Sequence, residues 1–80
     1  MFLEIITPDK RLFEGEIISV QIPGSEGSFE VLNNHAPLIS TLHEGTIRVR
    51  SKQEELRIHV AGGLVEVLNN KVTILASTAA

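Results

Sequence analysis

Three histidines, a close pair of glutamates and one turn-flanking lysine are the residues of this chain that can do chemistry. Glu26 and Glu30 lie four residues apart. Paired carboxylates act as general acid and base when their surroundings separate the two pKa values. Here one falls in a turn and the other in an alternating strand, so two solvated surface acids is the plainer reading. His35, His43 and His59 match no compact zinc spacing. His43 and His59 read as surface residues; His59, between Ile58 and Val60, belongs to a wet strand face. His35 differs, because Asn34 precedes it and Ala36-Pro37 follows. Proline fixes its own φ and drives the residue before it into extended backbone. The ring is therefore presented on a stiff loop, either hydrogen-bonded to neighbouring backbone or docked into a partner. Hydrolysis by Glu26 or Glu30 with His35 is the weakest option, since no nucleophile is spaced beside them.

Two further features resemble binding devices. Gly24-Ser25-Glu26-Gly27 has the glycines of a phosphate cradle. It lacks the lysine and following helix, and Glu26 repels phosphate, so it is a turn. Lys71 follows Asn69-Asn70 at a hairpin tip. Small all-β carrier domains attach a biotinyl or lipoyl arm at such a lysine, which makes a prosthetic-group carrier the alternative function. The usual carrier lysine sits mid-turn between acidic or methionine neighbours, which Asn70-Lys71-Val72 does not supply. No catalytic, cofactor-binding or metal-binding residue is expected.

The elements that position these residues read as strands. Phe2 to Thr7 is one, ended by Pro8-Asp9, since proline cannot donate to a ladder. Arg11 to Glu14 is short and extended, and Gly15 is expected to interrupt it. Glu16 to Pro23 alternates, with Ile18, Val20 and Ile22 on one face and Ser19 and Gln21 on the other. Ser28 to Leu32 alternates again, and Asn33-Asn34 makes a reversal, because asparagine tolerates left-handed backbone. Leu38 to Leu42 follows. Ile47 and Val49 alternate with Arg48 and Arg50, then Leu56, Ile58 and Val60 with Arg57 and His59. Joined by Lys52-Gln53-Glu54, these make a hairpin with one wet face. Ala61-Gly62-Gly63 predicts a bulge or sheet corner. Leu64 to Leu68 and Lys71 to Leu75 form a second hairpin across Asn69-Asn70, which suits a type I′ turn. Ala76 to Ala80 leave the pattern. Apolar residues recur at spacing two, never at helical spacing. Short strands with turns roughly every 8–12 residues predict an all-β sandwich or flattened barrel with no substantial helix.

Composition narrows the function further. Eighty residues make one small domain, burying only ~60% of its unfolded surface, and 42% hydrophobic residues suffice for one core. The chain has no cysteine, which fits a reducing compartment. A net charge of −3 argues against nucleic acid, and three phenylalanines are too few for a stacking platform. No apolar run approaches the ~20 residues of a membrane helix. Met1 to Ile6 is too short and too acidic for a signal peptide. A soluble chain follows, with any membrane link through partners.

Taken in order, several segments resemble one family. They are Val20 to Phe29, Val31-Leu32, His35-Ala36-Pro37-Leu38, Gly45 to Arg48, Ala61 to Val67 and Asn70 to Ala76. Together they resemble the amino-terminal domain of the epsilon subunit of F-type proton-translocating ATP synthases, called delta in mitochondria. The chain carries Glu30 where the family usually has glycine, and Asn33-Asn34 where it has Pro-Gly. The resemblance implies a ten-stranded β-sandwich over residues 1–76, with 77–80 a tail. It implies a non-catalytic central-stalk subunit between the gamma subunit and the membrane c-ring, coupling proton flow to ATP synthesis. Such a subunit is peripheral, on the cytoplasmic side of the bacterial inner membrane. By position, the ring-facing residues are Ser25, Glu26, Gly27, Ser28, Asn34 and Pro37. The gamma-facing residues are Thr7, His35, Leu38 and Thr41. Relatives continue into a helical hairpin that can bind ATP; without it, no ATP binding is expected.

Overall fold

Spacing-two hydrophobicity forms strands from Phe2 to Ser77. The computed structural model describes residues 1–78. Nine strands form among them: β1 Phe2–Ile6, β2 Arg11–Glu16, β3 Ser19–Gly24, β4 Gly27–Leu32, β5 Leu38–Leu42, β6 Gly45–Arg50, β7 Glu55–Val60, β8 Gly62–Leu68 and β9 Lys71–Ser77. The fold is all-β as expected, with nine strands where the resemblance implies ten. They make one curled sheet in the order β2-β1-β9-β8-β5-β3-β6-β7, with β4 on the other side of β3. The only bridge from β5 to β3 is Gly24 with Leu42. The sheet folds back there, so its two halves face each other. One half is β4-β3-β6-β7; the other is β5-β8-β9-β1-β2.

The inward residues of both halves share one core. Leu3, Ile5, Val20, Ile22, Val31, Ile47, Val60, Val65, Val72 and Ile74 are all fully buried. Burying each such side chain stabilises the fold by about 1.5–3 kcal/mol. Most are β-branched, which suits a pleated surface. Pro23 sits inside β3 without loss. The β6 pairing stops at Gln21 and the β5 pairing starts at Gly24, so no ladder bond needs its missing N–H.

Four details depart from the sequence expectation. Gly15 does not interrupt β2; it pairs with Leu3 inside the strand. Ile18 is 46% exposed rather than inward, and Ile17 is buried in its place. The cause is a kink, in which Ile17 N–H donates to Met1 C=O and Ile18 N–H to Arg50 C=O, shifting the alternation by one. Gly24 and Gly27 pair with each other, so the loop is only Ser25-Glu26. Ala76 and Ser77 extend β9, because Gly62 and Gly63 supply paired partners for them. Of the rest of the expected tail, Thr78 follows the strand and is exposed, and Ala79 and Ala80 lie outside the described residues.

The turn chemistry holds closely. Asn69 and Asn70 have φ of 51° and 60°, as a type I′ turn requires, and Asn34 has φ 64°. The expected corner at Ala61-Gly62-Gly63 carries the chain from β7 in one half to β8 in the other. Gly63 has φ +154°, and a Cβ there would lie 2.3 Å from the Leu75 carbonyl oxygen. Only glycine fits that contact.

Candidate functional site

The β3–β4 hairpin tip is built by close approach. A Cβ on Gly24 would meet the Phe29 ring at 2.7 Å and Gly27 O at 2.8 Å. Neither Ser25 nor Glu26 has positive φ; Gly27, with φ +130°, absorbs the reversal instead. The tip is then fastened to β5. Ser25 N–H donates to Thr41 C=O at 2.9 Å, and Thr41 Oγ1 donates to Ser25 Oγ at 2.8 Å. Gln21 Nε2 donates to Ser28 Oγ at 3.3 Å. Glu26 is left exposed on a held turn.

An open groove of about 400 Å³ runs beside the tip, lined by Glu26, Ser28, Phe29, His35, Leu38 and Ser40 together with Gly24 and Gly27. It brings His35 to Glu26, as the residue types allow, but not to Glu30, which lies on the outer face with Arg48 and Arg50. His35 Nδ1 donates to its neighbour's carbonyl, Ala36 O, at 2.8 Å. That is the loop-shaping role. Another open hollow, about 530 Å³, lies elsewhere, between Met1, Glu16, Ile17, Ile18, Asn33 and Lys52-Gln53.

The ring-facing and gamma-facing sets do not separate in space as two patches. Ser25 and Thr41, one from each set, are bonded to each other. Asn34 stands apart from the tip. Its N–H donates to Asn70 Oδ1 at 2.7 Å, and Asn70 Nδ2 donates to Asn33 Oδ1 at 2.8 Å. Asn70 closes the end of β8 opposite Gly63, whose partner is Leu42 at the tip end. Gly63 and Asn69 are six positions apart along the chain, roughly 20 Å of strand. Pro37 is exposed in the loop before β5. Thr7 caps the β1–β2 turn, its Oγ1 donating to Lys10 C=O at 3.1 Å.

Thr7 and Thr41 nevertheless share a row. Thr41 pairs with Leu64, Leu64 with Leu75, and Leu75 with Ile6, the residue before Thr7. Leu64 and Leu75 are 39% and 47% exposed, and Ile39 beside them 68%. A shallow apolar hollow of Ile6, Thr7, Pro8, Gly63, Leu75 and Ala76 ends the row. Sequence reasoning missed this outer face. Its signal is the run Leu64-Val65-Glu66-Val67-Leu68, apolar on both sides of the strand where a wet face alternates.

Lys71 is the first residue of β9, after the turn and not at its centre. Its Nζ lies 3.9 Å from Glu4 Oε1 and 5.8 Å from the centre of the Phe2 ring, so it is held against the sheet. His43 Nδ1 donates to Glu44 C=O, and His59 Nε2 lies 3.3 Å from Glu44 Oε2. Among the described residues no group of three or more His, Cys, Asp or Glu is placed to hold a metal, and no helix is long and apolar enough to cross a membrane.

A curled β-sandwich with a pinned hairpin tip and an apolar outer row is the frame of a binding domain. The chain matches the family of the ATP synthase delta/epsilon chain β-sandwich domain over residues 1–80 and belongs to it. It is 43% identical over 77 residues to the ATP synthase epsilon chain of Pelotomaculum thermopropionicum, covering 96% of this chain and 58% of that one. It is 45% identical over 73 residues to the epsilon chain of Leptospira borgpetersenii, covering 91% and 58%. The chain thus spans little more than half the length of these relatives. Two solved structures share the fold. One is the central stalk and c-ring of the Tetrahymena thermophila mitochondrial ATP synthase, with TM-score 0.81, 21% identity and coverage of 95% of this chain and 62% of that one. The other is the Euglena gracilis mitochondrial ATP synthase, with TM-score 0.88, 22% identity and coverage of 98% and 51%.

Proposed function

We propose that this chain is a central-stalk subunit of an F-type ATP synthase, joining the gamma subunit to the c-ring and transmitting rotation without catalysing a reaction. Family membership across residues 1–80 supports this, and one observation in the fold carries it. The positions assigned to gamma, Thr7 and Thr41, flank a row of exposed apolar side chains. Such a row is costly to leave in water and suits a partner surface. The ring-facing part is the tip Ser25, Glu26, Gly27 and Ser28, an acidic turn held by two bonds to β5. His35 and Leu38 lie in the groove below the tip, between the two partners. Pro37 stays with the ring-facing set by its place in the loop. Asn34 is given a structural part, tying two turns together. The subunit is then peripheral on the cytoplasmic side of a bacterial membrane, held there by its partners.

Torque transmission needs a body that does not shear. The parallel pairing of β1 with β9 and the antiparallel pairing of β9 with β8 tie the first strand to the last two. The test is affinity purification of the tagged chain from solubilised membranes. Gamma, c and the catalytic subunits should come with it; a chain recovered alone from membranes that contain the assembled enzyme overturns the proposal.

A further inference from the structure

The tip that ends in Glu26 leads into β4, and among the described residues β4 pairs only with β3. In an antiparallel hairpin a two-residue turn closes on a hydrogen-bonded pair, and bonded and non-bonded pairs then alternate. Gly24 with Gly27 is that closing pair. Gly27, Phe29 and Val31 therefore bond to β3, and Ser28, Glu30 and Leu32 turn their backbone groups outward. The bonds around the hairpin agree. On the far side of β3, Pro23 C=O accepts from His43 N–H at 3.1 Å and Ser25 N–H donates to Thr41 C=O. On the outer side of β4, Leu32 C=O accepts from His35 N–H at 3.2 Å. Among the described residues, the N–H and C=O of Ser28 and Glu30 have no backbone partner, and both residues are exposed.

Natural edge strands are usually blunted by lysine, proline, bulges or a covering segment. The β2 edge strand has a register shift against β1. Gly27 to Leu32 contains no lysine, arginine or proline, and its register is regular throughout. Beside this edge lies the groove of Phe29, His35, Leu38 and Ser40. The charge is one-sided. Glu26 and Glu30 form no ion pair among the described residues. Arg48, in the same row as Glu30, is engaged by Gln21 at 3.1 Å and Glu55 at 3.3 Å.

We infer that the β4 edge is a strand-addition site for an extended, basic segment of a partner protein. The segment bonds to the backbone of Ser28 and Glu30. Its cationic side chains meet Glu26 and Glu30, and an apolar side chain enters the groove against Phe29 and Leu38. Backbone pairing supplies affinity in this mode, and alternate side chains supply specificity. The site is a property of the isolated chain, so its test is independent of assembly into a stalk.

The probe is a synthetic peptide of alternating lysine and valine, added to the purified chain, with amide exchange read residue by residue. Exchange at Ser28 and Glu30 should slow by about tenfold or more, as for amides newly placed in a ladder. The effect should fade as salt shortens the Debye length from ~10 Å towards ~3 Å. A glutamate–valine peptide should leave both amides unchanged. Ser28→Pro removes one outward donor at an edge position that tolerates proline and should abolish binding with the melting point little changed. Should that variant fail to fold, E26Q/E30Q keeps the backbone intact and should weaken binding while preserving the site of protection. Protection at β2 or β7 instead, equal response to the acidic peptide, or protection that grows with protein concentration without peptide overturns the inference; the last would mean the edge pairs with a second copy.

Discussion

The two outer faces of the sandwich are built on the same backbone plan and differ in how much exposed apolar surface they carry. On β3-β6-β7 the outward positions are Gln21, Thr46, Arg48, Arg50, Glu55, Arg57 and His59, linked by pairs such as Arg48 with Glu55 at 3.3 Å. On β5-β8-β9 the outward positions include Ile39, Leu64, Leu68 and Leu75, each at least 39% exposed. Both halves bury an equally apolar inner face, so core formation does not explain the difference. A face that only meets water has no reason to hold leucine at alternate outward positions. The polar face suits water, and the apolar one is the surface that the proposed function gives to gamma.

The strongest way to break this contrast is at the corner that holds the halves together. Gly63→Ala places a methyl group 2.3 Å from Leu75 O at φ +154°. It should destabilise the fold by about 2–4 kcal/mol, lowering the urea midpoint and removing both faces at once. The contrast itself is tested by paired variants. L64S/L75S should weaken gamma binding more than about tenfold, since each leucine side chain a partner covers contributes about 1.5–3 kcal/mol of burial, while thermal melting shows the monomer still folded. R48A/R50A on the other face should change gamma binding by less than about twofold. Equal losses from the two pairs would erase the distinction. Glu26→Lys should slow association with the c-ring several-fold and reverse its salt dependence, leaving dissociation nearly unchanged in surface-binding kinetics. The smallest effect is expected at Glu44→Gln. It removes an exposed partner of His59 and should alter stability by less than about 0.5 kcal/mol in equilibrium denaturation.

Much of the fold was legible because it is local. Alternation in Ile47-Arg48-Val49-Arg50 and in Leu56 to Val60 gives a hairpin with one wet face, and the structure has it. Asn69-Asn70 specified its turn, because few residues accept positive φ twice running. The misplacement of Ile18 has a different origin. A one-residue kink at Ile17-Ile18 reverses inside and outside, and it depends on Met1 and Arg50, which are distant in the chain. The sites divide in the same way. Glu26 on an exposed turn and His35 on a stiff loop were readable from glycine and proline placement. The separation of Asn34 from the tip was not, because it rests on Asn70.

Strand identity, turn types and, among the described residues, the lack of any helix followed from residue order, since alternation, asparagine pairs and glycines act over a few bonds. The joining of first strand to last, the single bridge between Gly24 and Leu42, and the sorting of leucines from arginines onto opposite outer surfaces came from folding. A strand's pattern says which of its residues share a side. Which strands lie next to each other is settled by the packing of the one core between them.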